Sequence, residues 1–202
     1  MARQVPLAPA SVLPFLANNG ANQVSINIEV ADSSLGIVLV AISDIGVRAI
    51  QIGDDASELT RELKQRFPDE EFNEHITRDT SHLTAQVIAA IESGEATAGI
   101  PIDLRGTPFQ KAVWQALREV EPGTTVSYTE LARRVGRPAA VRAVAHACAT
   151  NAIAVLVPCH RAVRSDGSLA GYRWGLDRKR ALLEREAATT TARACCTVSQ
   201  QA

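Results

Sequence analysis

The chain has no run of eighteen apolar residues, few aromatic side chains, no cysteine before Cys148 and almost no net charge. Each shortage removes a class of protein. Without a long apolar run, nothing in it is built to span a bilayer. Four cysteines, Cys148, Cys159, Cys195 and Cys196, are too few and too unevenly placed to staple 202 residues, so a reducing, cytoplasmic compartment is expected. None stands near a histidine pair at zinc-finger spacing, and no metal is expected. The apolar stretch from Val5 to Ala17 has the character of a secretion signal, but Pro6, Pro9 and Pro14 interrupt it and only Arg3 precedes it. It reads better as a tail or linker.

What is present fits one domain, or two small ones sharing a core. A hydrophobic share of 46% excludes a wholly disordered chain. A net charge of -1 argues against a dedicated nucleic-acid binder, yet it averages two unlike halves. Residues 1–100 hold six basic against fourteen acidic side chains, whereas residues 101–186 hold fourteen basic against eight acidic. The basic half keeps nucleic acid open as a partner.

After a tail over residues 1–21, three β-type runs follow, Val24 to Val30, Leu35 to Ser43 and Val47 to Ile52, broken by turn residues into an antiparallel meander. Asp54 and Asp55 open a helical pattern carried by Leu59, Leu63 and Phe67 and stopped by Pro68. A second helix is expected from Thr80 to Ser93, closed by Gly94. Residues 22–98 therefore read as a small α/β subdomain.

A mainly helical domain is expected over residues 99–187. Thr107 followed by Pro108 is a helix start, and Phe109, Val113, Trp114 and Leu117 mark its buried face. Thr129 is expected to cap a short helix, Gly136-Arg137-Pro138 to make a turn, and Ala139 to Ala149 to form a second helix. That is the outline of a helix-turn-helix. Six alanines leave the second helix smooth, with Arg142 as its main projection. Close packing within the domain explains such a face as well as DNA does.

Beyond Asn151, the apolar run Ile153 to Val157 reads as a buried strand that delivers Pro158-Cys159-His160-Arg161 at the edge of the core. Arg161 and Arg164 are placed to lower the thiol pKa and so raise its reactivity. Taken alone, a cysteine in an apolar segment is usually a packed core residue.

The wider pattern is more specific. Pro158-Cys159-His160-Arg161, with Asn151 before it and Gly171-Tyr172-Arg173-Trp174-Gly175 after it, resembles the active-site signature of the O6-alkylguanine-DNA alkyltransferases, also called methylated-DNA-protein-cysteine methyltransferases. The likeness extends through Gly106-Thr107-Pro108-Phe109-Gln110, Val126-Ser127-Tyr128 and Leu182-Leu183-Glu184-Arg185-Glu186. Within the family it runs to the C-terminal half of the bacterial Ada proteins.

The resemblance implies an α/β, ribonuclease-H-like N-terminal subdomain and a helical C-terminal domain with a winged-helix-like helix-turn-helix. It makes Cys159 the residue that accepts an alkyl group irreversibly, once per molecule. It makes His160 a base acting through water, Glu186 its orienting carboxylate and Asn151 a hinge. Tyr172, Tyr128, Ala162 and Val157 are then expected around the substrate. Arg142 becomes the finger that replaces the flipped nucleotide, with Tyr128, Thr129, Gln110, Arg137 and Ser165 on the DNA backbone. The implied partner is double-stranded DNA gripped in the minor groove and carrying O6-alkylguanine, with O4-alkylthymine as a further candidate. The implied protein is a cytoplasmic, bacterial monomer without cofactor or metal. Residues 188–202, including Cys195 and Cys196, match nothing in the family and read as a disordered tail.

Two other classes answer to parts of the same sequence. A lesion binder of the alkyltransferase-like kind would keep the fold and lack the cysteine, and Cys159 argues against it. A transcriptional regulator would read the major groove with its second helix, but an alanine-smooth helix has almost no side chains for base edges.

Overall fold

The computed structural model describes residues 25–74, 77–95 and 99–199, with side chains up to residue 192. The N-terminal tail, Val24 and residues 200–202 lie outside that range, as do the side chains of Cys195 and Cys196.

Strands β1 (Ser25–Ser33), β2 (Gly36–Ile42) and β3 (Val47–Gly53) form the expected antiparallel meander. Their period-two pattern sorts side chains to two buried faces. Leu39, Ala41, Ala49, Ile26 and Ile28 pack with Leu59 and Leu63 of helix α1 (Ala56–Arg66). Val38, Val40, Ile42, Val47, Ile50 and Ile52 face the opposite way, toward helix α2 (Arg78–Ser93) and the C-terminal domain. Asp55 caps α1 by accepting from Glu58 N at 2.7 Å, an arrangement worth about 1 kcal/mol. A short strand β4 (Glu71–Asn73) pairs parallel to β1 and completes the order β3-β2-β1-β4. Three residues carry too little pattern to announce a strand, and none was expected there.

The C-terminal part contains α3 (Pro108–Arg118), β5 (Val126–Ser127), α4 (Tyr128–Arg134), α5 (Val141–Ala149), β6 (Ala162–Val163) and α6 (Leu176–Ser199). Thr107 and Gln110 form a reciprocal capping box at the start of α3, with Pro108 in its first turn. The cap of α4 is Ser127, not Thr129, and α5 begins at Val141 rather than Ala139 because residues 138–140 still belong to the turn. Strands β5 and β6 pair parallel as a separate two-stranded sheet.

The two parts share one core, in which Val40 and Ile50 of the sheet join Trp114, Leu117, Leu131, Val144 and Cys159. The otherwise open edge of β3 is covered by C-terminal chain. Val47 pairs with Ile102 and Ile50 with Ile153, and Ile50 N donates to Ala152 O at 2.9 Å. The segment entering the cysteine is thereby anchored to the sheet.

Two further expectations need correction. Ile153 to Val157 is not a strand: Ile153 makes a single bridge, and the chain then turns, with Val157 N donating to Ile153 O at 3.1 Å. Val155 sits at φ 67, a conformation that costs a β-branched residue about 1–3 kcal/mol. The domain also does not close at residue 187, because α6 continues to Ser199. Thr189 and Thr190 donate to Ser93 O and Pro122 O at 2.6 and 3.3 Å, holding this part of the helix against the body.

Candidate active site

Cys159 opens a single 3-10 turn through Arg161, directly after the tight turn at residues 154–157. Asn151 builds that turn from inside. Its Oδ1 accepts from Ile153 N at 2.9 Å, while its Nδ2 donates to Val157 O at 2.8 Å, Ile153 O at 3.2 Å and Cys159 Sγ at 3.2 Å. One buried amide thus fixes the loop and touches the sulfur. Cys159 faces a cavity of about 590 Å³ whose lining includes Tyr128, Ala145, Cys148, Arg164, Gly171 and Tyr172.

Behind the cysteine lies a dense charge network. His160, fully buried, places Nε2 2.7 Å from Glu186 Oε1. Arg161 donates to the same carboxylate from Nε at 3.1 and 3.0 Å and from Nη2 at 2.8 Å, and its Nη1 donates to Val120 O. Gly123 N donates to Glu186 Oε2 at 3.2 Å. Gly123 holds φ 76, and a Cβ there would fall 2.6 Å from Thr190 Oγ1 of α6, so a side chain would disturb the helix that carries Glu186. At the end of α2, a Cβ on Gly94 would likewise fall 2.9 Å from the α6 backbone at Arg185 and Glu186.

The protonation states follow from these contacts. Burial alone would raise the Glu186 pKa, but hydrogen bonds from His160 and Arg161 outweigh it and bring it to about 2. Burial lowers the His160 pKa against the pull of Glu186, which leaves a neutral imidazole. A carboxylate acceptor at Nε2 puts the proton on that nitrogen, so buried Nδ1, which has no partner, carries the lone pair. Burial pushes the Cys159 thiol up to about 11; the Asn151 amide and the charge of Lys179 pull the other way and lose.

A thiol activated by Arg161 and Arg164 is therefore not what the free protein holds. Arg161 is spent on Glu186 and Val120, and the cation acting on the sulfur is Lys179. Lys179 is fully buried on α6 and donates from Nζ to Ala162 O at 2.6 Å.

The other expected residues divide between cavity, support and surface. The Tyr172 hydroxyl is buried without a partner, and its ring meets His160 and Trp174 edge to face at centroid distances of 6.5 and 5.1 Å. Tyr128 lines the cavity, and burial lifts its phenol to about 12. Val157 and Ala162 are fully buried and stand outside the lining, each giving a carbonyl to a supporting side chain, Asn151 and Lys179. Gln110 is committed inward, with Oε1 accepting from Thr107 N at 2.9 Å and Nε2 donating to Thr150 Oγ1 at 3.1 Å. Arg142 in the first turn of α5, Arg137 before it and Ser165 in the turn after β6 are exposed, and Thr129 on α4 is half-buried.

The family model for the 6-O-methylguanine DNA methyltransferase DNA-binding domain matches residues 108–188. A methylated-DNA–protein-cysteine methyltransferase of Mycobacterium tuberculosis is 44% identical over 129 residues, covering 62% of this chain and 77% of its own. The chain belongs to this methyltransferase family. The bifunctional transcriptional activator and DNA repair enzyme Ada of Escherichia coli is 46% identical over 176 residues, 84% of this chain. The chain spans about half the length of the Ada relatives it matches, 48% and 47%. Among solved structures, M. tuberculosis OGT in complex with DNA superposes with a TM-score of 0.66 at 34% identity, covering 82% of this chain and 94% of that one.

Within this methyltransferase fold, the places of three residues were not legible in the sequence. Lys179 was hidden because a lysine on an amphipathic helix reads as surface. Arg161 read as an activator of the thiol and is the clamp on Glu186. Cys148 closes the last turn of α5 and opens onto the same cavity as Cys159; its position eleven residues before Cys159 gave no signal of this.

Proposed function

We propose that this chain repairs alkylated DNA by direct reversal, moving the alkyl group from O6 of a flipped-out guanine to its own Cys159. The observation that carries the reading is the buried thiol facing an open cavity, with the neutral His160 and its Glu186 anchor directly behind it. The sulfur attacks the alkyl carbon, the carbon–O6 bond breaks, and the thiol proton passes through water to His160 Nδ1 and on to the leaving guanine. Thiol and alkylguanine become thioether and guanine. A thioether has no hydrolytic exit among these residues, so each molecule acts once.

The alkyl carbon of a paired base is out of reach of a buried thiol, which requires flipping at a cost of a few kcal/mol. Exposed Arg142 on the smooth face of α5 serves as the wedge in the minor groove. Helix α5 has no side-chain cap, which leaves its first backbone N–H groups for a phosphate. Arg137, Thr129 and Ser165 extend that contact, Tyr128 bears on the target phosphate, and Tyr172 offers its unpaired hydroxyl to the base. Gln110, bonded inward, supports the helix ends rather than the DNA. O4-alkylthymine enters the same cavity as a secondary substrate. The chain acts as a monomer in the bacterial cytoplasm, and among the described residues no helix is long and apolar enough to cross a membrane.

We read the N-terminal sheet, a meander flanked by helices, as ribonuclease-H-like, and the α4–α5 pair with its short sheet as a winged form of helix-turn-helix. The test is intact-protein mass spectrometry after mixing with duplex DNA holding one O6-methylguanine. One methylene gained per chain and mapped to Cys159 supports transfer; DNA bound without any mass change supports a lesion binder instead.

A further inference from the structure

Two thiols share the cavity, and the reaction above uses one. Cys148 and Cys159 both line it, together with Tyr128, Ala145, Ala149 and Tyr172. Asn151 is bonded to both residues, its backbone N–H donating to the Cys148 carbonyl at 3.3 Å and its side-chain amide to Cys159 Sγ at 3.2 Å. Burial, then the neighbouring Cys159, lift the Cys148 thiol to about 12. No group of three His, Cys, Asp or Glu side chains able to hold a metal ion exists among the described residues. Zinc takes four such donors, so a pair of sulfurs in an apolar cavity does not suit it. The pair suits an element that binds two sulfurs and brings its own remaining substituent.

We propose that Cys148 and Cys159 form a dithiol site that captures monosubstituted trivalent arsenicals inside the cavity. An organoarsenic oxide condenses with two thiols: two As–S bonds form, the As–O bonds break, and both thiol protons leave with the oxygen as one water molecule. Arsenic stays trivalent and nothing is oxidised. The reaction starts from neutral thiols and ends in a neutral product, so the burial that keeps both sulfurs protonated does not oppose it. The cavity, about 590 Å³ and mostly apolar in lining, receives the organic substituent. Capture occupies Cys159 and blocks its use as an acceptor.

The probe is phenylarsine oxide. Cys195 and Cys196 are adjacent in the chain and would take up the same probe, so the first arm uses the full chain carrying Cys195→Ser and Cys196→Ser. Intact mass should show one phenylarsenic group per chain, retained in excess glutathione and released by 2,3-dimercaptopropanol. In the same background, Cys148→Ser should exchange the probe about a hundredfold faster, because one sulfur replaces a chelate. Equal retention in the two chains, or no retention in the first, overturns the proposal. A second arm needs no variant at these thiols: the unsubstituted chain, with and without the probe, is labelled with a maleimide for long enough that both thiols react in the untreated chain, and mapped. Protection of both Cys148 and Cys159 supports the site; protection of fewer than both overturns it.

Discussion

The candidate site has two halves built on opposite electrostatic terms. On one side, the Glu186 carboxylate accepts from His160, Arg161 and Gly123, and the three side chains His160, Arg161 and Glu186 are buried against one another. On the other, the Cys159 sulfur accepts from the neutral Asn151 amide, Cys148 is a neutral neighbour, and the Tyr172 hydroxyl is buried without a partner. Buried ions demand partners, so the paired half is rigid and has one arrangement. Buried neutral groups with unused hydrogen-bonding capacity are what a substrate can satisfy. The first half positions, and the second is left to react.

The largest effect should come from removing the reacting atom. Cys159→Ala should abolish methyl transfer while leaving binding to alkylated duplex within a few-fold; binding that collapses too would make the residue structural. Next comes the paired half. Glu186→Gln leaves Arg161 buried beside a neutral amide and should cost about 3–5 kcal/mol in denaturant unfolding. A loss under 1 kcal/mol would show that the network is not fixed. Acid should attack the same group. Its folded pKa, about 2, lies below the usual 4.5, so its contribution is present above pH 4.5 and is lost as pH falls toward 2. That amounts to about 3 kcal/mol, checked by unfolding at stepped pH.

Asn151 joins the halves. Asn151→Ala should cost about 2–3 kcal/mol, since the amide serves one buried donor and three acceptors. It should also slow transfer to a free-base analogue. Arg142→Ala should have the smallest effect on stability, within about 0.5 kcal/mol for an exposed side chain. It should weaken repair of duplex more than reaction with the free base; equal losses on both would remove Arg142 from flipping.

How far the sequence disclosed this depended on what each residue's signal consisted of. The meander was legible because three β-type runs are separated by turn residues, Asp32-Ser33-Ser34 and Asp44-Ile45-Gly46, and the start of α3 because Thr107-Pro108 and Gln110 are local capping chemistry. The signature around Cys159 was legible as residue types at fixed spacing. The turn at residues 154–157 was not, because an apolar run looks the same in a strand as in a buried turn, and no residue type announces a valine at positive φ. β4 was too short to see, and residues 188–199 read as a tail because they match nothing in the family, whereas Thr189 and Thr190 hold that part of α6 to Ser93 O and Pro122 O. The thiol pKa was misjudged for a spatial reason: the sequence counts nearby arginines but does not show that Arg161 points at Glu186.

That last point is open to direct measurement. The rate of iodoacetamide labelling at Cys159 can be followed by peptide mapping across pH in the full, DNA-free chain. A thiol held near pH 11 by burial should label slowly at neutral pH, with a rate that keeps rising beyond pH 9 and reaches no plateau below it. A plateau below pH 8 would mean a thiolate already formed in the free protein, and would contradict the division into a charged half that positions and a neutral half that reacts.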